Sequence, residues 1–220
     1  MTVLLVLFTF LVFALVDWAL NRHKVPVVKL ATEPAPAHAA TAYVDGFLVP
    51  ETLRYHPGHT WLIRERPQLA RVGVDEFAAK LAGHIEKLEL PKRGQWIRQG
   101  QTAWNLFRRG EKASMTSPIE GEVVEVNQEL INDPSLLRRD PYGKGWLMTI
   151  NVPDDESTWR NLIPTRLVRS WMKDSVARLY ARQPLLAGAV AADGGRPVDD
   201  LLEAMPEANW SKTTAEFFLP

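Results

Sequence analysis

From Val3 to Val16 every position except Thr9 is apolar, and after one interruption at Asp17 the run continues through Trp18, Ala19 and Leu20. A helix that crosses a bilayer core needs about 20 such residues, so the pattern predicts a membrane span over residues 2–21. An indole has one wet edge and one apolar face, which places Trp18 at the interface, with Arg22, His23 and Lys24 as headgroup contacts. The flanking cations lie only on the C-terminal side. The positive-inside bias therefore puts the rest of the chain in the cytoplasm. The competing reading is a cleaved signal peptide, but no cation precedes the run and no small-residue cleavage site closes it. Residues 25–50 carry Pro26, Pro34, Pro36 and Pro50 among many alanines and read as an extended tether between the anchor, 1–24, and a domain that begins at residue 51. Tyr43, Phe47, Leu48 and Val49 are too apolar for a solvated spacer and point to a surface they lie along.

Between Leu53 and Val152 the pattern changes to short apolar runs broken by Gly, Pro, Asn and Asp, which predicts β-structure with turns. The candidate strands hold Trp61-Leu62-Ile63, Ala70-Val72-Val74, Ile85-Leu88-Leu90, Ala103-Trp104-Leu106-Phe107, Val123-Val124-Val126 and Leu147-Met148-Ile150. Asp75 to Leu81 alone looks helical there, with an acid at its start and Phe77, Ala78 and Leu81 on one side. From Pro164 to Gln183, Leu167, Val168, Trp171, Met172, Val176, Leu179 and Tyr180 fall on one helical face, with Arg166, Arg169, Lys173, Arg178 and Arg182 around the rest.

Composition narrows the chemistry. With 26 basic and 26 acidic residues there is no global field that would favour nucleic acid. The chain has no cysteine, which removes disulfides, thiolate metal sites and thiol nucleophiles. None of His23, His38, His56, His59 and His84 stands at a metal-binding spacing. No Ser-His-Asp set or phosphate-cradling glycine loop can be named, and no small-molecule substrate is implied. The sequence therefore predicts a protein without catalysis, metal or cofactor.

Some residues carry a family resemblance. His59-Thr60-Trp61, then Val72-Gly73-Val74-Asp75 with its short helix, then Leu88-Glu89-Leu90-Pro91, and further on Gly121-Glu122-Val123-Val124-Glu125-Val126-Asn127, Asp133-Pro134 and Asp140-Pro141-Tyr142-Gly143-Lys144-Gly145-Trp146-Leu147 resemble the glycine-cleavage H-protein over about residues 53–180. That resemblance implies a mainly β, lipoyl/biotinyl-like flattened barrel of two small sheets, closed by a C-terminal helix, within residues 51–183. It also implies a lysine at a hairpin tip, to which lipoate is attached. In the family pattern that lysine falls ten residues after the equivalent of Gly100 and eight before that of Pro118. Both counts reach Gly110, a residue with no amine to acylate but well suited to a tight turn. Lys112 stands nearby in Lys112-Ala113-Ser114. A lipoyl carrier that uses Lys112, shuttling aminomethyl groups or electrons, is the alternative; it requires an uneven hairpin.

The tip is basic, with Arg108 and Arg109 before the glycine, and predicts docking onto carboxylates or lipid phosphates against the plainer reading of solvated charge. His59 coincides with a family histidine and predicts a hydrogen-bonded structural role. The tail, 184–220, ends with Trp210, Phe217, Phe218 and Leu219 and is too short for a core of its own. Those aromatics predict either contact with a partner or a fold back onto the barrel. Together these features predict a non-lipoylated accessory or scaffold subunit of a membrane-bound complex, such as a redox or respiratory assembly, with other subunits and the bilayer as its partners.

Overall fold

Short apolar runs separated by turn-forming residues cannot build long helices, and the computed structural model is mainly β. It describes residues 11–13, 41–153, 159–182, 196–203 and 208–220. The chain divides into two units, 1–37 and 38–220. In the first, residues 11–13 are helical; the rest of the predicted span, with Trp18, Arg22 and Lys24, lies outside the described residues. Among the described residues no helix is long and apolar enough to cross a membrane.

Among its described residues the second unit contains three antiparallel sheets. Six strands, β3 (Arg54–His56), β4 (Thr60–Arg66), β5 (Leu69–Val74), β7 (Trp96–Ile97), β10 (Gly121–Val126) and β11 (Met148–Asn151), pair in the order β3-β4-β5-β11-β10-β7. A second sheet pairs β6 (Lys87–Glu89), β8 (Thr102–Arg108) and β9 (Glu111–Thr116) in that order. Leu62, Val72 and Met148 are register partners across three neighbouring strands, and all are fully buried. Trp61 lies on Gly73, its partner across β4 and β5, and its Nε1 donates to the carbonyls of Val74 (3.0 Å) and Pro141 (3.1 Å). A Cβ at Gly73 would stand 2.3 Å from the indole. Trp146 is half-buried, with Arg71 stacked on its ring, while the adjacent Leu147 fills the core.

The predicted helix at Asp75 is α1, Glu76–Ala82, with Asp75 as its N-cap accepting from the amide of Ala78. Every residue from Phe77 to Ala82 is buried, Lys80 included, so the helix has no solvent face. Two segments outside the barrel strands close it. Residues 41–50 are not a tether but a hairpin, β1 (Thr41–Val44) and β2 (Phe47–Pro50), burying Val44, Phe47 and Val49. Phe47 packs edge-on against Phe77 at 5.3 Å, and Tyr142 stitches the hairpin to α1, accepting from the amide of Glu76 and donating to the carbonyl of Leu48. The short helices α2 (Gln128–Asn132) and α3 (Leu136–Arg139) follow β10. The predicted basic helix is α4, Thr165–Arg182, burying Val168, Met172, Val176 and Leu179 along one face.

The second covering segment is α5, Trp210–Phe218, which packs against β9 and α1. The expectation that Trp210, Phe217 and Phe218 meet a partner is corrected here: all three are buried in their own domain. Removing aromatic side chains from water contributes about 1.5–3 kcal/mol each, and Trp210 also finds a partner for its N–H in the carbonyl of Ala82.

We predict that Gly73→Ala, forcing a methyl into the Trp61 ring, lowers stability by at least about 1–3 kcal/mol, measured as a reduced midpoint in urea unfolding.

Candidate functional site

The β8–β9 hairpin is the site at which the sequence concentrates its chemistry. Arg108 pairs with Glu111 across the ladder, which leaves Arg109 and Gly110 as a two-residue loop. Both have positive φ, 49° and 78°, the signature of a type I′ turn whose twist suits a right-handed hairpin. Gly110 is exposed, and a Cβ there would meet nothing within 4 Å. Lys112 is not in the turn. It lies in β9 opposite Phe107, with an exposed side chain.

Arg109 is exposed; its amide donates to Glu86 and its guanidinium lies 3.5 Å from Glu203. Arg108 is different, and its expected role in docking a partner is corrected by its burial, 5% exposed. Alternation along β8 turns it inward with Leu106 and Trp104. There it donates to both carboxylate oxygens of Asp200, at 3.0 and 2.9 Å, and to the carbonyl of Ala82 at 3.2 Å. Ala82 ends α1, where carbonyls lack intrahelical partners, so Arg108 and Trp210 together satisfy one such oxygen. Asp200 also accepts from the amides of His84 and Glu203. Ser211 completes the attachment, donating its amide to Glu111 and its hydroxyl to the carbonyl of Lys112.

The chain thus fastens its C-terminal segment along the flank of the tip. Asp200 and Ser211 are the partners that sequence reasoning missed. Asp200 stands beside Asp199 with nothing in the local sequence to set it apart, and only the tertiary fold shows it facing Arg108.

His84, Asp200 and Glu203 bring possible ligand atoms within 4.8 Å of one another. Both Asp200 oxygens are already bonded to Arg108, so a guanidinium already supplies the positive charge there.

His59 is fully buried, held at φ 58°, with Nδ1 2.8 Å from Asp75 and its ring between Phe77 and Trp171 at 4.4 and 4.6 Å. Asp75 serves His59 with one oxygen and caps α1 with the other, a structural arrangement closed to any substrate. His56, 8% exposed, accepts from the amide of Gly58 through Nδ1. Burial first, and the neighbouring His59 second, push its pKa down to about 4.

Residues 53–175 match the family model described as Glycine cleavage H-protein. The glycine cleavage system H protein of Streptomyces coelicolor is 34% identical over 106 residues, covering 48% of this chain and 85% of that protein. A probable glycine cleavage system H protein of Aeropyrum pernix is 34% identical over 127 residues, covering 58% and 88%. The crystal structure of an H protein from Mycobacterium marinum superposes with a TM-score of 0.45 at 25% identity, over 48% of this chain and 87% of that one.

Two predictions follow from the geometry. Asp200→Ala, which leaves Arg108 buried without its counter-charge, lowers stability by about 3–5 kcal/mol in urea unfolding, and the double replacement Arg108→Met with Asp200→Leu recovers most of the loss. Folding also weakens as pH falls. The unfolded chain protonates His56 near 6.5 while the folded chain resists until about 4, so this contribution is complete above pH 6.5 and lost on the way down to 4. Over that window it is on the order of 3 kcal/mol, and His56→Gln flattens the corresponding slope of stability against pH.

Proposed function

Because the chain belongs to the glycine cleavage H-protein family, we propose that it has kept the carrier barrel of that family while giving up the carrier's chemistry, and acts as a non-lipoylated binding subunit of a membrane-bound complex. The observation that supports this most directly is Gly110 at the apex of the hairpin. A lipoyl arm needs a primary amine exposed on the turn, where a modifying enzyme can reach it, and glycine offers none. The apolar run at residues 2–21, followed by Arg22, His23 and Lys24, supports an anchor that holds the domain on the cytoplasmic side of the bilayer. The reading gives the protein no catalytic step; a redox or respiratory assembly is the first kind of complex in which to look for it.

The alternative reading, lipoate on Lys112, makes the chain a working carrier of aminomethyl groups or electrons. Lys112 is exposed but sits within a strand, two residues past the apex.

Intact-mass measurement of the full chain, produced alongside lipoate ligase, separates the two. The expected spectrum of the natural protein and of Lys112→Arg carries no lipoyl adduct, whereas Gly110→Lys acquires one. That replacement meets open space and costs about 1 kcal/mol for the left-handed backbone. An adduct on the natural chain that disappears in Lys112→Arg contradicts the proposal.

A further inference from the structure

An edge strand whose N–H and C=O groups point outward is a template for another strand, and folded proteins guard their edges with charges, proline, shortness or a covering segment. Among the described residues the three sheets end on β1 and β2, β3 and β7, and β6 and β9. All but β1 are guarded. The amide of Leu48 in β2 donates to the Glu76 carboxylate and its carbonyl accepts from Tyr142. β3 is bridged through Tyr55 to Ile163. β9 carries α5, with the Ser211 hydroxyl on the carbonyl of Lys112. β6 is three residues long with exposed charges at Lys87 and Glu89, and β7 is two residues long between Gly94 and Gly100, both at positive φ.

The four residues of β1, TAYV, include no charge and no proline. The ribbon turns at Asp45 and Gly46, with φ 47° and 85°. In such a hairpin Val44 and Phe47 exchange hydrogen bonds, as do Ala42 and Val49, while Tyr43 and Leu48, like Thr41 and Pro50, turn their N–H and C=O groups away from each other. The β2 side agrees: Leu48 is bonded outward as described, and the carbonyl of Pro50 accepts from Leu53 and Tyr55. On the β1 side the outward groups of Thr41 and Tyr43 make no hydrogen bond among the described residues. α4 approaches β1, but a helix pairs its backbone groups within itself and has none to give an edge. Tyr43 is 53% exposed, with Arg196 5.6 Å above its ring and bonded to its hydroxyl at 2.9 Å.

We infer that the open edge of β1 pairs with β1 of a second copy of this chain, antiparallel about a two-fold axis at Ala42, and joins the two ribbons into one continuous sheet. The edge is complementary to itself. Its outward groups lie two residues apart, so an inverted copy sets Tyr43 opposite Thr41 on both sides of the axis, and each such pair exchanges two hydrogen bonds. Between them Ala42 meets Ala42 in the pair type that brings side chains closest, where a methyl fits. Like charges facing each other across a ladder are destabilising, and β1 brings none to its own copy. The inference does not depend on the proposed function.

The chain has no cysteine, so a single introduced one reports without background. The test is disulfide formation by the full chain in detergent, equilibrated in a glutathione redox buffer. Ala42→Cys places two thiols across the axis with Cα atoms about 4.5 Å apart, within the span of a disulfide, and the expected product is a linked dimer. Lys92→Cys, exposed beside β7 at the far edge of the six-stranded sheet, is expected to link at least about tenfold less, as is Ala42→Cys with Tyr43→Pro, because proline deletes the outward N–H while leaving the bonds of β1 to β2 in place. Ala42→Cys with Tyr43→Ala keeps that N–H and keeps the link. Equal thermal midpoints of the two Tyr43 variants show that unfolding is not the cause. In the natural chain, hydrogen exchange at the Tyr43 amide is expected to slow as chain concentration rises. Absence of the Ala42→Cys link, equal linking by Lys92→Cys, persistence of the link with Tyr43→Pro, or Tyr43 protection that is independent of concentration, which would mean that the same chain fills the edge, overturns the inference. A lipoyl adduct in the mass spectrum would defeat the proposed function without touching this result, and the reverse also holds.

Discussion

A helix of seven residues cannot hold itself together in water, and α1 survives because it is enclosed on every side. Its N-terminus is capped by Asp75 and stitched by Tyr142 to the β1–β2 hairpin. Its middle holds Lys80, whose ammonium donates to the carbonyl of Pro197 at 2.8 Å. Its last carbonyl, on Ala82, receives both Arg108 and Trp210. The segments at 41–50, 196–203 and 208–220 fall outside the residues that match the family model, yet all contribute contacts that complete this helix. Their buried residues are part of the core of the domain.

That enclosure fixes the character of the hairpin. Arg108, one residue before the turn, is drawn beneath the sheet by Asp200, and β9 carries α5 along its flank through Ser211. A charge buried with its partner is costly to separate, so the base of the tip is held firmly while its apex, Arg109 and Gly110, stays in solvent. A scaffold surface needs a fixed shape of this kind, and an apex without an amine is compatible with a role that depends on shape alone.

Much of the fold was legible from periodicity. The strands at Trp61, Val72, Leu106, Val123 and Met148, the cap at Asp75 and the long helix at residues 165–182 all follow from alternation or helical spacing, because each buries one face against the barrel. Periodicity alone does not show β9, because Glu111-Lys112-Ala113-Ser114 is a polar strand whose burial comes from α5, and it follows instead from the hairpin that the family resemblance implies; the β1–β2 hairpin is masked by the prolines and alanines before it. The turn at Gly110 follows from the family resemblance, whose spacing puts a hairpin tip there, and glycine suits the positive φ that such a turn requires. The fate of its neighbour does not follow: in sequence Arg108 and Arg109 are an equivalent basic pair, and only the pleat, with Asp200 92 residues away, sends one inward and leaves the other in water. Trp210, Phe217 and Phe218 were visible as aromatics in need of cover, but their spacing could not say whose surface provides it.

Native-state hydrogen exchange tests most directly whether the C-terminal segment belongs to the core. The amides of Ala79 and Gly83 in and after α1, and of Thr213 and Leu219 in and after α5, all donate to helical carbonyls or cap them, so their opening can be followed. The account predicts that the two groups become exchangeable in one cooperative opening of the same free energy. Exchange of Thr213 and Leu219 orders of magnitude faster than that of Ala79 and Gly83 would show that α5 detaches while α1 persists, and would contradict it.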